Sequence, residues 1–332
     1  MKKFKCLKIG LVGCGYWGTN IVKTLEQCNI KNISVTDKNI SNLNEIKKKF
    51  KFVNIIENFD KFINTNFDCI FLITPTGTHY EIAKKILSKG TNLFIEKPAS
   101  NQSKDQLKLE KIRIKENKIV NVGYIYNYNI YINYIKKILK QNLLGKIKFM
   151  SFERCNLGPI RDDVSCIWDL ASHDISTSFY LLNSFPKVKN VITQNYLKKN
   201  IYDMSLLHLS YNGVDVEIKS SWLSPEKIRK ITIIGEKKML LFDELDPINK
   251  IKILNKYAYY PSVKKFDKSF FTPSAHIYTG KTYSPKIKFF SPLKSEILNF
   301  FECIVSKKEP KTNLKYAINI TRIIEKINLS IK

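Results

Sequence analysis

Leu7-Lys8-Ile9-Gly10-Leu11-Val12-Gly13-Cys14-Gly15-Tyr16-Trp17-Gly18 is the stretch whose reading decides the fold. Leu7, Ile9, Leu11 and Val12 predict a buried strand over 7–12. The Gly-x-Gly-x-x-Gly that follows predicts a tight turn leading into a helix over 19–28. Each glycine has a mechanical reason. Gly13 permits the turn, Gly15 lets the backbone approach a pyrophosphate, and Gly18 lets helix and strand pack closely. The helix N-terminus then points unpaired N–H groups at the diphosphate. Tyr16 and Trp17 fill the motif and join the candidate cofactor contacts, with helix packing an equal role for Trp17.

Asp37 closes a second short strand over 33–37, about 20 residues past the motif, where a carboxylate accepts hydrogen bonds from the ribose hydroxyls of NAD. The same charge repels the extra phosphate of NADP, whereas the neighbouring Lys38 would attract it. NAD is the expected dinucleotide, and NADP stays open.

Outward from the motif, strands at 53–56, 69–73, 92–95 and 120–123 alternate with helices at 42–50, 78–89 and 103–117. The run Cys69-Ile70-Phe71-Leu72-Ile73 is continuously apolar, as in a strand covered on both faces. This rhythm predicts a doubly wound parallel sheet, a Rossmann domain over 1–124. Beyond it lie helices at 130–142 and 167–182. Strands follow at 147–154, 188–196, 204–211, 214–222, 230–234 and 239–242. Asn212-Gly213 marks a two-residue hairpin turn. Successive strands without helices between them predict an α+β domain over 125–332 with a mostly antiparallel open sheet, serving substrate binding and oligomerisation. Residues 255–285 read as irregular. Helices at 293–306 and 314–331 close the chain and are candidates to pack back on the first domain.

Of the 332 residues, 56 are Lys or Arg and 29 Asp or Glu, a net charge of +27. The excess is lysine spread along the chain without a dense arm, which favours a uniformly basic surface over a nucleic-acid partner. No apolar run approaches the roughly 18 residues of a membrane span. Lys5 and Lys8 interrupt the N-terminal apolar stretch, so no leader is expected. The cysteines Cys6, Cys14, Cys28, Cys69, Cys155, Cys166 and Cys303 form no Cys-x-x-Cys pair. They read as free thiols in a reducing cytoplasm, without a disulfide framework or a metal site.

Three further segments carry chemistry. Thr74-Pro75-Thr76-Gly77-Thr78-His79 and Glu96-Lys97-Pro98 each follow a predicted strand, at the carboxyl edge where such sheets bind ligands. Thr74, Pro75, Thr76, His79, Glu96 and Lys97 are therefore candidate cofactor contacts. Asp169-Leu170-Ala171-Ser172-His173-Asp174 lies on a predicted helix, where the i, i+4 spacing gives Asp169 and His173 one face. A cation at Lys97 would stabilise a developing alkoxide, and a histidine titrates near neutrality and suits proton transfer.

In this order and spacing the segments resemble the glucose–fructose oxidoreductase/inositol dehydrogenase (Gfo/Idh/MocA) family over nearly the whole chain. By that resemblance Lys97 and His173 take the places of the family's catalytic lysine and histidine, and Asp169 that of the acid one turn earlier. All three would also touch substrate. The run from Asn156 to Asp174 is similar to a subgroup acting on nucleotide-linked amino sugars, among them 3-dehydrogenases of UDP-N-acetylglucosamine. Val164-Ser165-Cys166 and Ala171 replace glycines common in the family, and Tyr126-Asn127-Tyr128-Asn129 stands where many members carry an arginine. The resemblance implies a dehydrogenase of a sugar carbinol, with C3 of a UDP-linked N-acetylamino sugar as the expected target, in surface-polysaccharide or lipid assembly. Lys97 and His173 would meet over the substrate hydroxyl, one from each domain. Arginine is rare in the chain, so Arg154, Asn156 and Arg161 are candidate substrate contacts, with an ordinary surface ion pair to Asp162, Asp163 or Glu153 as the alternative. A homo-oligomer, dimer or tetramer, is expected. The competing readings are a dehydrogenase of a free polyol or sugar and a non-catalytic dinucleotide sensor.

Overall fold

Every apolar run of the N-terminal third becomes a strand of one sheet. The protein is described from a computed structural model covering residues 4–260 and 275–331. Two compact units emerge: Met1–Asn129 with Phe289–Glu325, and Ile130–Lys288 with Lys326–Lys332.

The first unit holds β1 (Ile9–Val12), β2 (Ile33–Thr36), β3 (Asn54–Ile55), β4 (Cys69–Leu72), β5 (Asn92–Ile95) and β6 (Val120–Val122). Their spatial order is β3-β2-β1-β4-β5-β6 and every pairing is parallel. The winding direction reverses between β1 and β4, so a crevice opens beyond their carboxyl ends. The connecting helices are α1 (Tyr16–Gln27), α2 (Ile40–Lys49), α3 (Phe59–Ile63), α4 (Thr76–Ser88) and α5 (Ser103–Lys115). β1 and β4 are buried along their whole lengths, as continuous apolar runs require.

The last helices of the chain complete this unit. In α8 (Pro292–Ser306) the rings of Phe300 and Phe301 are fully buried against the sheet. Phe300 lies 5.8 Å from both Phe71 and Phe94, whose own rings stack at 4.9 Å. On α9 (Leu314–Leu329), Glu325 accepts hydrogen bonds from Ser103 N and Oγ at the start of α5, both at 2.7 Å.

The second unit is built on eight strands. They are β7 (Ile147–Leu157), β8 (Lys187–Gln194), β9 (Met204–Tyr211), β10 (Val214–Ser221), β11 (Leu223–Gly235), β12 (Met239–Asp243), β13 (Ile251–Tyr259) and β14 (His276–Tyr283). The order is β14-β13-β12-β11-β7-β10-β9-β8, antiparallel except for the central β7–β10 pair. Asn212 and Gly213 both take positive φ, 48° and 86°, and close the β9–β10 hairpin where expected. Burial alternates along β9, so Leu207, Leu209 and Tyr211 face the core. Two helices, α6 (Ile130–Lys140) and α7 (Ser172–Leu182), belong to this unit.

The structure corrects several expectations. Within the segment 255–285 read as irregular, 255–259 complete β13 and 276–283 form β14, which pairs with it, Tyr257 stacking on Tyr278 at 5.1 Å; 261–274 lie outside the described residues. β11 is much longer than 230–234, because a register shift between Leu223 and Ile228 accommodates Pro225. Finally, Ile167–Ala171 is a π-helical turn, with α7 starting only at Ser172. The α-helical i, i+4 arithmetic therefore does not set the relative directions of Asp169 and His173. Among the described residues no helix is long and apolar enough to cross a membrane, and no cluster of His, Cys, Asp or Glu is suited to a metal ion. Cys6 is exposed and the other six cysteines are buried free thiols.

Candidate active site

The glycine turn between β1 and α1 is shaped by what a side chain would strike. Gly13 has φ 100°, and a Cβ there would lie 2.6 Å from Ile73 O. At Gly18 a Cβ would lie 2.0 Å from Gly13 O, so the first turn of α1 is pressed onto the loop. Gly15 differs, because a Cβ would meet nothing within 4 Å. The protein itself leaves this side open, and no side chain caps α1. An uncapped helix N-terminus beside a bare backbone fits a diphosphate. Tyr16 is 84% exposed, beside that opening.

Asp37, just past β2, binds the same turn. Its Oδ2 accepts from Cys14 N at 2.6 Å and from Asn42 Nδ2 at 3.2 Å, and its Oδ1 from Asn39 N at 2.7 Å. Lys38 beside it is exposed. Burial, with Asp37 nearby, pushes the Cys14 thiol up to about 12, so it stays neutral.

Two loops line the edge beyond β4 and β5. His79, buried on α4, sets Nε2 2.6 Å from Thr74 O and Nδ1 2.8 Å from Pro98 O. Both ring nitrogens face backbone carbonyls, the neutral ring donating its one N–H to either, so His79 sits between the two loops and is not a cofactor contact through its ring nitrogens. Burial pulls its pKa below the ordinary value, against the pull of the two carbonyls. Thr78 Oγ1 donates to Pro75 O and lies within hydrogen-bond reach of the Thr74 hydroxyl, both at 2.8 Å, securing the start of α4, in which Thr76 is the first residue. Glu96 accepts from Trp17 Nε1 at 2.5 Å and from Lys97 N at 3.1 Å. Burial raises its pKa, while Trp17 and Lys97 oppose the shift.

In the second unit the candidate residues gather around the π turn. Asp169 accepts from Trp222 Nε1 at 3.0 Å and lies 3.5 Å from Arg161 Nη1. Arg161 also holds Asp163 through two bonds of 2.9 and 2.7 Å, which lowers the Asp163 pKa. Asn156 accepts from Arg229 Nη2 at 2.5 Å and donates to Gly158 O. His173 is half-buried in the first turn of α7.

Arg154 departs from its expected role. It is buried and bound bidentately to Asp174, at 2.9 and 2.8 Å, with side chains only 8% and 4% exposed. The guanidinium fork is matched to a carboxylate of its own unit, so Arg154 fixes α7 to β7 and presents no open face to a substrate diphosphate. The sequence reading missed Asp174, Trp222 and Arg229. Asp174 stood in the quoted motif and Arg229 among the rare arginines; for Trp222 only the scarcity of tryptophan was a signal.

Residues 7–124 match the GFO_IDH_MocA family, described as an oxidoreductase family with an NAD-binding Rossmann fold. These residues are a domain of that family. NAD is thus the ligand class of the glycine turn. The chain is similar to the UDP-N-acetylglucosamine 3-dehydrogenase of Acidithiobacillus ferrooxidans, 26% identical over 36% of this chain and 37% of that protein. It also resembles an NADP-dependent scyllo-inositol 2-dehydrogenase of Bacillus subtilis, 21% identical over 63% of this chain and 60% of that protein. The alignments to the first three relatives span 22%, 39% and 37% of those proteins. A solved structure of the Acidithiobacillus enzyme superposes with a TM-score of 0.80 at 18% identity, covering 98% of this chain and 97% of that one. That likeness shows a shared fold over nearly the whole chain.

Proposed function

We propose that the protein is an NAD-dependent dehydrogenase of a sugar hydroxyl, its substrate a UDP-linked N-acetylamino sugar oxidised at C3. The carrying observation is the convergence at one sheet edge. The open glycine turn, Asp37 and Lys97 follow the carboxyl ends of β1, β2 and β5 respectively. The similarity to a UDP-N-acetylglucosamine 3-dehydrogenase supports the choice of sugar.

When bound, the nicotinamide supplies the hydride acceptor. Gly13, Gly15 and the α1 N-terminus would hold the diphosphate, and Asp37 the adenosine ribose. Lys97 supplies a fixed positive charge that stabilises the oxygen as its proton leaves. His173 accepts that proton as the general base. Asp169, held by Trp222 and Arg161, supplies a carboxylate acceptor for a substrate hydroxyl. Arg161, whose guanidinium holds Asp163 and Asp169, would orient that acidic pair beside the sugar.

The test incubates purified protein with NAD or NADP and a panel of UDP-sugars, with free scyllo-inositol alongside, following reduced nicotinamide by absorbance. The expected result is NAD-dependent turnover of a UDP-N-acetylamino sugar. Turnover of the free polyol alone would overturn the substrate class, and no turnover across the panel would overturn the reading.

A further inference from the structure

The Trp17–Glu96 hydrogen bond joins the two halves of the nucleotide edge. Trp17 belongs to the first turn of α1, which the missing Gly18 side chain lets press against the glycine loop. The indole is therefore fixed to the element that would receive the diphosphate. Glu96 lies across the crevice at the end of β5, directly before Lys97. One carboxylate oxygen takes the indole N–H and the other takes the Lys97 backbone N–H. A third surface holds it: a Cβ at position 123 would lie 2.9 Å from Glu96 Oε1, so the carboxylate rests against the bare Cα of Gly123. Glu96 N also donates to Leu72 O at 3.0 Å, extending the β4–β5 ladder.

We propose that Trp17 is a positioning residue, setting the main chain of Lys97 through the Glu96 carboxylate and so coupling the seating of dinucleotide in the glycine turn to the placement of the lysine. The proposal rests on the dehydrogenase reading for the role of Lys97, but the link itself is a property of this unit.

Physical chemistry supports a short chain of this kind. Both oxygens of Glu96 are engaged in directional bonds, so the carboxylate cannot rotate without breaking one. The titratable groups beside it are Lys97, whose charge favours an ionised carboxylate, and the buried Glu296 of α8, whose own pKa burial and Glu96 raise. Burial works against an ionised Glu96, and the indole N–H and Lys97 work for it. Removing the donor loosens the carboxylate and weakens its hold on Lys97 N. Misplacement by about 1 Å costs on the order of 100-fold in rate.

The test combines two readouts on the full-length protein. In 15N-tryptophan-labelled protein the Trp17 indole resonance is assigned by its loss in Trp17→Phe. It is expected downfield of the indole signals of Trp168 and Trp222, to move in Glu96→Gln, and to shift on addition of NAD. In kinetics, Trp17→Phe and Glu96→Gln should each lower kcat about 10- to 100-fold with the KM for NAD within about threefold of native. The double variant should fall no further than the worse single one, because each change interrupts the same Trp17–Glu96–Lys97 chain. A kcat within twofold of native in Trp17→Phe, a double loss equal to the product of the single losses, or a raised KM for NAD at native kcat would overturn the proposal. If the native protein turns over no sugar, the dehydrogenase reading fails separately. The link is then judged by resonance alone, and an indole signal unmoved by Glu96→Gln and by NAD overturns it.

Discussion

Replacing Arg154 by leucine leaves the Asp174 carboxylate in a site where its side chain is 4% exposed, without the fork that neutralises it. Breaking a buried ion pair by removing one partner costs about 3–5 kcal/mol, because the remaining charge keeps its desolvation penalty. For a unit of this size each kcal/mol lowers Tm by roughly 2–4 °C. The expected fall is therefore roughly 6–20 °C in the calorimetric transition of the second unit. Arg154→Leu combined with Asp174→Leu should recover most of the loss, since it removes both the unpaired charge and the cost of burying it. Hydrogen exchange of the α7 amides gives the local readout, fast in the single variant and near native in the double. An Arg154→Leu protein that melts within about a degree of native while the KM for the sugar nucleotide rises would refute this reasoning and return Arg154 to the substrate.

Lys97→Ala and His173→Ala should each lower kcat by about 10²–10⁴-fold with NAD affinity retained, and steady-state turnover close to native in either one contradicts its role. Binding titrations should favour NAD over NADP, and Asp37→Ala should narrow the gap; equal native affinities argue against the carboxylate as selector. Phe300→Ala should cost about 3–5 kcal/mol in urea unfolding, given its full burial against the stacked Phe71 and Phe94; a loss under about 1 kcal/mol means the site collapses without strain. Burial and Glu96 raise the pKa of Glu296 well above its ordinary value near 4.5, so its contribution to stability is present below that value and is lost as pH rises. Glu296→Gln should accordingly melt higher than native at pH 7, the difference closing toward pH 4. A pH-independent difference in Tm would show that the acid is not the cause.

The first unit was legible because its signals are local. A strand buried on both faces, such as Cys69–Leu72, is apolar at every position, and the glycine motif states its own geometry. The eight-residue β9 and β10 were equally clear, through alternation and the Asn-Gly turn. What escaped depends on partners distant in sequence. α3 spans five residues, too few for a helical period to show. β13 and β14 are rich in Lys and Tyr, and their strand character comes from pairing across the intervening segment. Likewise nothing in the sequence says which carboxylate Arg154 will meet. Asp174 lies 20 residues away on another element, and the choice is made by packing α7 against β7. Trp222 reaches Asp169 from 53 residues away for the same reason. The π turn adds a residue to the winding without any change in composition, so the phase of the helix after it was unreadable.

The nucleotide-binding unit is not a continuous piece of chain, and this has a consequence during synthesis. Phe71 and Phe94 emerge from the ribosome early, but the rings that cover them belong to residues 300 and 301. At about 5–20 residues per second, the stretch from 129 to 301 takes roughly 9–34 s to translate. Throughout that interval the nascent sheet presents an uncovered aromatic face, attractive to chaperones and to neighbouring chains. Its closure waits on residues 300 and 301, so a ribosome stalled between 129 and that point holds a sheet whose aromatic face is still uncovered.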